Sequence, residues 1–230
     1  MKILAAEFVT GAAHPSQFPR SVLPEVAFAG KSNVGKSSLM NALLGRKRLV
    51  KISSTPGKTR EINFFRINDA FQFVDLPGYG YAEAPKAVRH GWRALLEAYL
   101  TGRTALRGVV LIVDARHEPS PLDRQLRDFL AAHGVPLLLV ANKADKVGRS
   151  ELPGRLEKIA RALDWPEPPL AYSAKSGLGR DALWALLNQW LRAPAAAHSH
   201  GPPPPPQPAQ PPQPAQRHGT AHPRRGKALP

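Results

Sequence analysis

Between a short apolar run, Glu25 to Ala29, and a stretch of helical spacing, Lys36 to Leu44, the chain reads Gly30-Lys31-Ser32-Asn33-Val34-Gly35-Lys36-Ser37. The glycines let the backbone curl so that its N–H groups point inward, an arrangement that receives phosphate oxygens. The following helix adds the positive end of its dipole. Lys36 supplies an ammonium for the β and γ phosphates of a bound nucleotide, and the Ser37 hydroxyl is a ligand for Mg²⁺.

A second group is Asp75-Leu76-Pro77-Gly78, at the end of the apolar run Phe71 to Asp75. A carboxylate in that place holds Mg²⁺ through water, and the glycine N–H meets a γ-phosphate. Between the two groups, Ser53-Ser54-Thr55-Pro56-Gly57-Lys58-Thr59-Arg60 is polar and aperiodic. A threonine there that reaches Mg²⁺ only beside a γ-phosphate makes the segment a sensor, ordered by triphosphate and released after hydrolysis. Thr59 is preferred to Thr55 because it sits immediately before the next strand; a plain surface loop is the alternative.

Asn142-Lys143-Ala144-Asp145 follows the apolar run Leu137 to Val140. A carboxylate that accepts two N–H bonds from one base edge selects guanine over adenine, an asparagine amide reaches the ring's acceptor side, and a lysine stem lies along the ring face. Ser173-Ala174-Lys175, after Leu170 to Tyr172, can offer backbone N–H groups to the guanine O6. Any one piece alone is compatible with a helix cap. Four pieces in this order, each at a strand end, point to bound GTP or GDP.

The elements that must place these groups alternate. Strands are expected at Glu25 to Ala29, Ile62 to Ile67, Phe71 to Asp75, Val109 to Val113, Leu137 to Val140 and Leu170 to Tyr172, with Asn68-Asp69 as a tight turn. Helices are expected at Lys36 to Leu44, Pro85 to Thr101, Leu152 to Leu163 and Asp181 to Arg192, and another opens at Ser120-Pro121 in the cap-then-proline order. Continuous apolar strands suit a parallel sheet buried on both faces, so the fold class is α/β, doubly wound, with ligands beyond the carboxyl ends of the strands.

The 230 residues carry 32 Lys and Arg against 17 Asp and Glu, a net charge of +15. The absence of cysteine excludes a disulfide framework, a thiolate metal site and a cysteine nucleophile. No apolar run approaches the roughly 18 residues that span a bilayer, and Met1 to Thr10 lacks the layout of a signal peptide; a cytoplasmic protein is expected. From Ala193 to Pro230 lie 12 of the 25 prolines, four basic residues and no acidic one. That composition predicts a disordered or polyproline tail, and its four charges leave +11 on the remainder. That excess favours a polyanionic partner, nucleic acid or an anionic surface, with solvated charge serving only solubility as the alternative.

Residues 1–192 resemble GTPases of the Era and EngA kind, and within them the EngB (YihA/YsxC) subfamily. The resemblance is carried by Pro24 to Ala29 running into Gly30 to Ser38, by Thr55-Pro56-Gly57-Lys58-Thr59, by Asp75-Leu76-Pro77-Gly78-Tyr79-Gly80-Tyr81-Ala82 and by Tyr172-Ser173-Ala174-Lys175. It implies a P-loop NTPase with a Ras-like, mostly parallel six-stranded sheet and helices on both faces. The implied organisation is residues 1–23 packing on a G domain of 24–192, with 193–230 as the tail. It further implies a monomeric, Mg²⁺-dependent GTPase that assembles the large ribosomal subunit, meeting its ribosomal RNA and proteins, with a link to cell division and septation. Residue by residue, Gly30, Lys31, Ser32, Asn33, Val34, Gly35, Lys36 and Ser37 take the phosphates, and Ser37 and Thr59 the metal. Gly57, Lys58, Thr59, Arg60 and Glu61, with Asp75, Leu76, Pro77 and Gly78, face the γ side, where Lys36, Thr59 and Gly78 are the catalytic set. Asn142, Lys143, Ala144, Asp145, Tyr172, Ser173 and Ala174 face the base. The subfamily more often has Thr where Asn142 stands, and the tail is outside its pattern.

Many GTPases place a water-orienting Gln immediately after the Asp-x-x-Gly motif; here Tyr79 stands there, so slow intrinsic hydrolysis is expected. Relatives with Asn at the place of Asn33 use it to hold K⁺, a positive charge where no arginine finger exists. Lys86, Arg89, Arg93, Arg103 and Arg107 form a candidate ribosomal RNA surface, with a solvated helix face as the alternative. Trp92 and Trp184 are expected in the core. Three other functions compete: an RNA-binding scaffold with structural nucleotide, a membrane or septum regulator, and a phosphotransferase, the last disfavoured by Asp145 and by the lack of a lid segment.

Overall fold

The computed structural model describes residues 1–50, 61–79 and 86–193, with side chains of the helix that starts at Lys86 described from Arg93 onward. Four parallel pairings build the middle of one sheet. Strand β2 (Glu25–Gly30) lies between β4 (Phe71–Asp75) and β5 (Leu106–Asp114), and β5 continues to β6 (Leu137–Asn142) and the two-residue β7 (Leu170–Ala171). Every residue of β2 and of β4 is buried, as expected for strands covered on both faces. β3 (Ile62–Ile67) pairs antiparallel with β4 through a hairpin whose Asn68 and Asp69 sit at φ 51° and 50°. Asn and Asp tolerate this left-handed conformation best among residues with side chains.

The sheet has seven strands where six were expected. The additional one, β1 (Ala6–Ala12), pairs antiparallel with β3 at the edge. The hairpin turn docks it: Asn68 Oδ1 accepts from Leu4 N–H (2.7 Å) and Ala5 N–H (3.0 Å), its Nδ2 donates to Lys2 O, and its backbone N–H to Ala5 O. Within residues 1–23, Ala6–Ala12 thus extends the sheet.

Helices α1 (Lys36–Leu44) and α5 (Arg180–Arg192) cover one face. Leu39, Met40, Leu43, Leu183, Trp184 and Leu187 meet Phe28, Phe73 and Ile112 there, and Trp184 stacks on Phe73 and donates to Leu43 O. Trp184 is a core anchor, as expected; the Trp92 side chain lies outside the described residues. The other face carries α2 (Lys86–Gly102), α3 (Pro121–Ala132) and α4 (Leu152–Ala162).

The most deeply buried of the described carboxylates sits at the opposite end of this sheet from the loops. Glu25 is fully buried at the start of β2, where its carboxylate accepts from Arg103 Nε (3.0 Å) and Nη2 (2.5 Å) and from Tyr99 Oη (3.0 Å). Arg103 also lies over the Phe64 ring. The pair fastens the end of α2 to the central strand and takes Arg103 out of the expected RNA surface. Arg107 likewise turns back on Thr104 O and Ala105 O, whereas Arg93 is exposed. Removing one partner of a buried ion pair leaves an uncompensated charge, so Arg103→Leu is expected to cost about 3–5 kcal/mol. Urea titration should show that loss, largely recovered in Glu25→Leu/Arg103→Leu.

Candidate functional site

Five loops meet at the carboxyl end of the parallel strands. The first joins β2 to α1. Asn33 and Gly35 take left-handed conformations (φ 65° and 94°), Val34 N–H donates to Lys31 O, and Gly35 caps α1 with no side-chain hydrogen bond to the helix N–H groups. Those N–H groups and the dipole behind them suit an anion. Val34 is buried beneath the loop, while Lys31 and Asn33 are exposed above it. Ser37 lies in the first turn of α1, half-buried, and its hydroxyl has no hydrogen bond among the described residues. This hydroxyl beside Lys36 fits a hard, oxygen-seeking cation such as Mg²⁺.

Lys36 Nζ forms an ion pair with Asp75 Oδ1, both side chains being nearly buried, so the phosphate loop and the end of β4 are joined directly. Leu76 and Pro77 are buried, and Leu76 N–H donates to Phe28 O. Gly78 runs against the phosphate loop so closely that a Cβ would lie 3.0 Å from Ser32 Oγ and 3.4 Å from Ser32 N. Ser32 N–H donates to Tyr79 O at 3.0 Å. The Tyr79 side chain turns into the core and donates its hydroxyl to Asp123. Burial, then the neighbouring carboxylate, raises its pKa well above the ordinary tyrosine value.

From the other side, Asn142 at the end of β6 donates through Nδ2 to Val34 O (3.0 Å), with a longer contact to Gly35 O (3.4 Å). Both bonds tie the Asn142 amide to the phosphate loop, and Asn142 Oδ1 is buried with no partner among the described residues. This brace also explains Gly35, where a Cβ would come within 2.5 Å of Asn142 Nδ2. Lys143, at φ 64°, reaches across to Asn33 O (2.7 Å) and to Asp114 Oδ2 (2.9 Å). Asp114, at the end of β5, also holds Arg116. Burial favours its neutral form, but hydrogen bonds from Arg116 and Lys143 outweigh this and hold it below the usual carboxylate range.

Ala144 is buried and its N–H donates to Tyr172 O (3.0 Å), which ties the Asn-Lys-Ala-Asp turn to the end of β7. Asp145 Oδ1 accepts from Ser173 Oγ (2.7 Å), and the same hydroxyl accepts from Lys175 N–H and Ser176 N–H. Asp145 is exposed on the outer side of this contact, and the Ala174 N–H has no partner among the described residues. An outward carboxylate and an unpaired amide on adjacent loops match the donor and acceptor edge of guanine. The Tyr172 side chain points into the core, where burial pushes its pKa up to about 12, and its backbone O meets the Ala144 N–H.

The structure therefore brings together Gly30 to Ser37, Asp75 to Gly78, Asn142 to Asp145 and Tyr172 to Ala174. The side chain of Glu61 instead lies against Gly11 of β1, and no hydrogen bond among the described residues joins it to the phosphate loop. Thr55, Gly57, Lys58, Thr59 and Arg60 lie outside the described residues, as do Gly80, Tyr81 and Ala82 and the tail from residue 194, and the side chains of Lys86 and Arg89. Two residues that carry the geometry have no place in the sequence expectations. Asp114 and Asp123 are acidic residues at a strand end and in a helix's first turn, positions too common to single out.

Comparison with known proteins agrees with this frame. A family model described as 50S ribosome-binding GTPase matches residues 25–143. A probable GTP-binding protein EngB of Syntrophus aciditrophicus is 50% identical over 199 residues, covering 86% of this chain and all of that one. Another, of Pelotomaculum thermopropionicum, is 48% identical over 193 residues, covering 83% and 98%. Among solved structures, a probable GTP-binding protein EngB superposes with a TM-score of 0.61 at 25% identity, covering 73% of this chain and 98% of that one. Aquifex aeolicus Era bound to GDP·AlF₄⁻ gives 0.60 at 27% identity, over 75% of this chain and 58% of that one.

If Asp145 reads the two N–H donors of guanine, Asp145→Asn should move preference from guanine toward xanthine nucleotides. Competition binding with GDP and XDP checks this; unchanged GDP affinity contradicts the assignment.

Proposed function

The chain belongs to the EngB family of GTP-binding proteins, within the P-loop GTPases, and from that premise we propose that it is a slow GTP/GDP switch in assembly of the large ribosomal subunit. The observation that carries the proposal is the doubly tied phosphate loop. Asn142 and Lys143 hold it from the base side, and Asp75 and Tyr79 hold it from the γ side. A loop tied to both ends can register which phosphates are present.

In this reading Gly30 to Ser37 bind the phosphates through backbone N–H groups and the Lys36 ammonium. The Gly78 N–H faces the γ-phosphate, with Gly57, Lys58, Thr59 and Arg60 assigned to the same side by the family resemblance. Ser37 and Thr59 would hold Mg²⁺, which when bound would neutralise charge on the β and γ oxygens, and the Asp75 carboxylate would reach it through water. Lys36 exchanges Asp75 for phosphate oxygens, and both are anionic partners for its ammonium. Asp145 and the Ala174 N–H select guanine, and the Lys143 stem lies along the ring. The set Lys36, Thr59 and Gly78 stabilises the transferring phosphoryl group.

Slow hydrolysis follows from Tyr79. The side chain at the place of the water-orienting Gln is 7% exposed and committed to Asp123, so nothing at that position aligns the attacking water. Asn33, exposed at the rim of the loop, is the residue that would hold K⁺ in partial compensation. The excess of basic residues and the ribosome-binding description of the matched family support a ribosomal partner acting in the cytoplasm. The role in cell division and septation belongs to the same proposal. No described helix is long and apolar enough to cross a membrane.

The test is sedimentation of tagged protein with cell extract through a gradient at moderate salt. The expected result is co-migration with large-subunit particles when loaded with a non-hydrolysable GTP analogue and release when loaded with GDP. Absence from ribosomal fractions in both states contradicts the proposal.

A further inference from the structure

Tyr79 is separated from the γ-phosphate side of the site by one peptide bond, and its side chain is spent elsewhere. Its hydroxyl lies 2.5 Å from Asp123 Oδ1, with Tyr79 7% and Asp123 3% exposed. The phenol ring packs in the cluster that contains Leu111, Val113, Ala141, Ile159 and Leu163. Asp123 is equally committed. Its Oδ2 accepts from Ser120 N–H (2.6 Å) and Ser120 Oγ (2.7 Å), closing the capping box that begins α3. One carboxylate therefore ends a helix with one oxygen and grips Tyr79 with the other.

We propose that Tyr79 and Asp123 form a latch that holds the Gly78 amide in place against the phosphate loop, which makes Asp123 a positioning residue for the γ-phosphate end of the site. The inference deepens the proposed function and rests on its reading of Gly78 as the γ-phosphate contact. Gly78 has no side chain with which to be held. Its position is set by its neighbours: Leu76 N–H on Phe28 O before it, and Tyr79 after it. Tyr79 is held twice, through its backbone O by Ser32 N–H and through its hydroxyl by Asp123.

The latch is strong because it is dry. A phenol that donates to a buried carboxylate makes a charge-assisted hydrogen bond, and breaking it strands a buried acceptor. Swinging Tyr79 outward would also expose an aromatic ring from the core. The raised pKa of Tyr79 keeps its proton in place, so it remains the donor. A donor already fixed where charge will sit needs no reorganisation when the ligand arrives, so the latch should favour GTP, which presents a γ-phosphate, without altering GDP binding. It also explains why this chain uses Tyr where a Gln would orient water: the position is given to anchoring Gly78.

Tyr79→Phe removes one oxygen and leaves the ring in the core. Asp123→Asn keeps the shape and an acceptor for the cap, and Tyr79→Phe/Asp123→Asn closes the cycle. Calorimetric titration with a non-hydrolysable GTP analogue and with GDP, beside urea unfolding, separates the outcomes. The expected result for Tyr79→Phe is analogue affinity reduced about tenfold, the size of one buried charge-assisted bond, with GDP affinity kept and the double variant no worse than the single. A fall in stability with an unchanged GTP-to-GDP ratio overturns the latch and makes the bond purely structural. Equal loss for both nucleotides overturns it too. A wild-type protein that does not distinguish the two nucleotides overturns the γ-phosphate reading and the latch with it. Tyr79→Phe alone decides the matter if Asp123→Asn does not fold.

Discussion

The hydrogen bond from Asn142 Nδ2 to Val34 O, 3.0 Å across the top of the sheet, is the constraint on which the site depends. A phosphate-binding loop works by turning its own N–H groups toward the ligand, which leaves its carbonyl groups facing outward and in need of donors. Asn142 and Lys143 supply them, to Val34 and Asn33 in turn. Gly35 must then be glycine twice over, for its positive φ and for the approach of the asparagine. Lys143 is itself held by Asp114, so the ends of β2, β5 and β6, neighbours in the parallel sheet, are locked into one frame. The Asn142 to Asp145 turn and the phosphate loop are thereby joined directly.

The γ side is attached to the same loop by different chemistry. Lys36 and Asp75 pair at the end of β4, and Tyr79 is fixed between Ser32 and Asp123. An ion pair can be traded for phosphate oxygens, whereas a buried hydrogen-bonded aromatic ring cannot easily be moved. The exchangeable contact is the Lys36–Asp75 ion pair, and the buried one is the Tyr79–Asp123 hydrogen bond. Glu25, Tyr99 and Arg103 do at the opposite end of the sheet what Asn142 does here, fastening α2 to the central strand.

Much of this was legible in the chain. α1, β3 and β4 have the bounds that periodicity and turn residues indicate, and the Ser120-Pro121 opening of α3 is a capping box with proline in its first turn. Local signals suffice there because each is written in adjacent residues. β1 was not legible. Its Phe8 and Val9 are exposed, its pairing is interrupted by a bulge, and it is docked by Asn68, some sixty residues away in sequence. The motif residues converge as their spacing indicates, but their partners are non-local. Nothing near Glu25 announces Arg103, nothing near Tyr79 announces Asp123, and a net positive charge does not reveal that Arg103 and Arg107 are turned inward. The Asn142 motif was legible, and the bond from Asn142 to the phosphate loop was not, since that depends on two strand ends meeting in space.

The central claim is that Asn142 shapes the phosphate loop as well as serving the base. The direct measurement is the affinity of the wild-type protein and of Asn142→Ala for inorganic tripolyphosphate, which has no base, alongside GDP. If the brace forms the loop, Asn142→Ala weakens tripolyphosphate about tenfold or more, the cost of losing a buried hydrogen bond that positions several donors, and weakens GDP at least as much. Unchanged tripolyphosphate binding with a selective loss of GDP would confine Asn142 to the base and contradict the account.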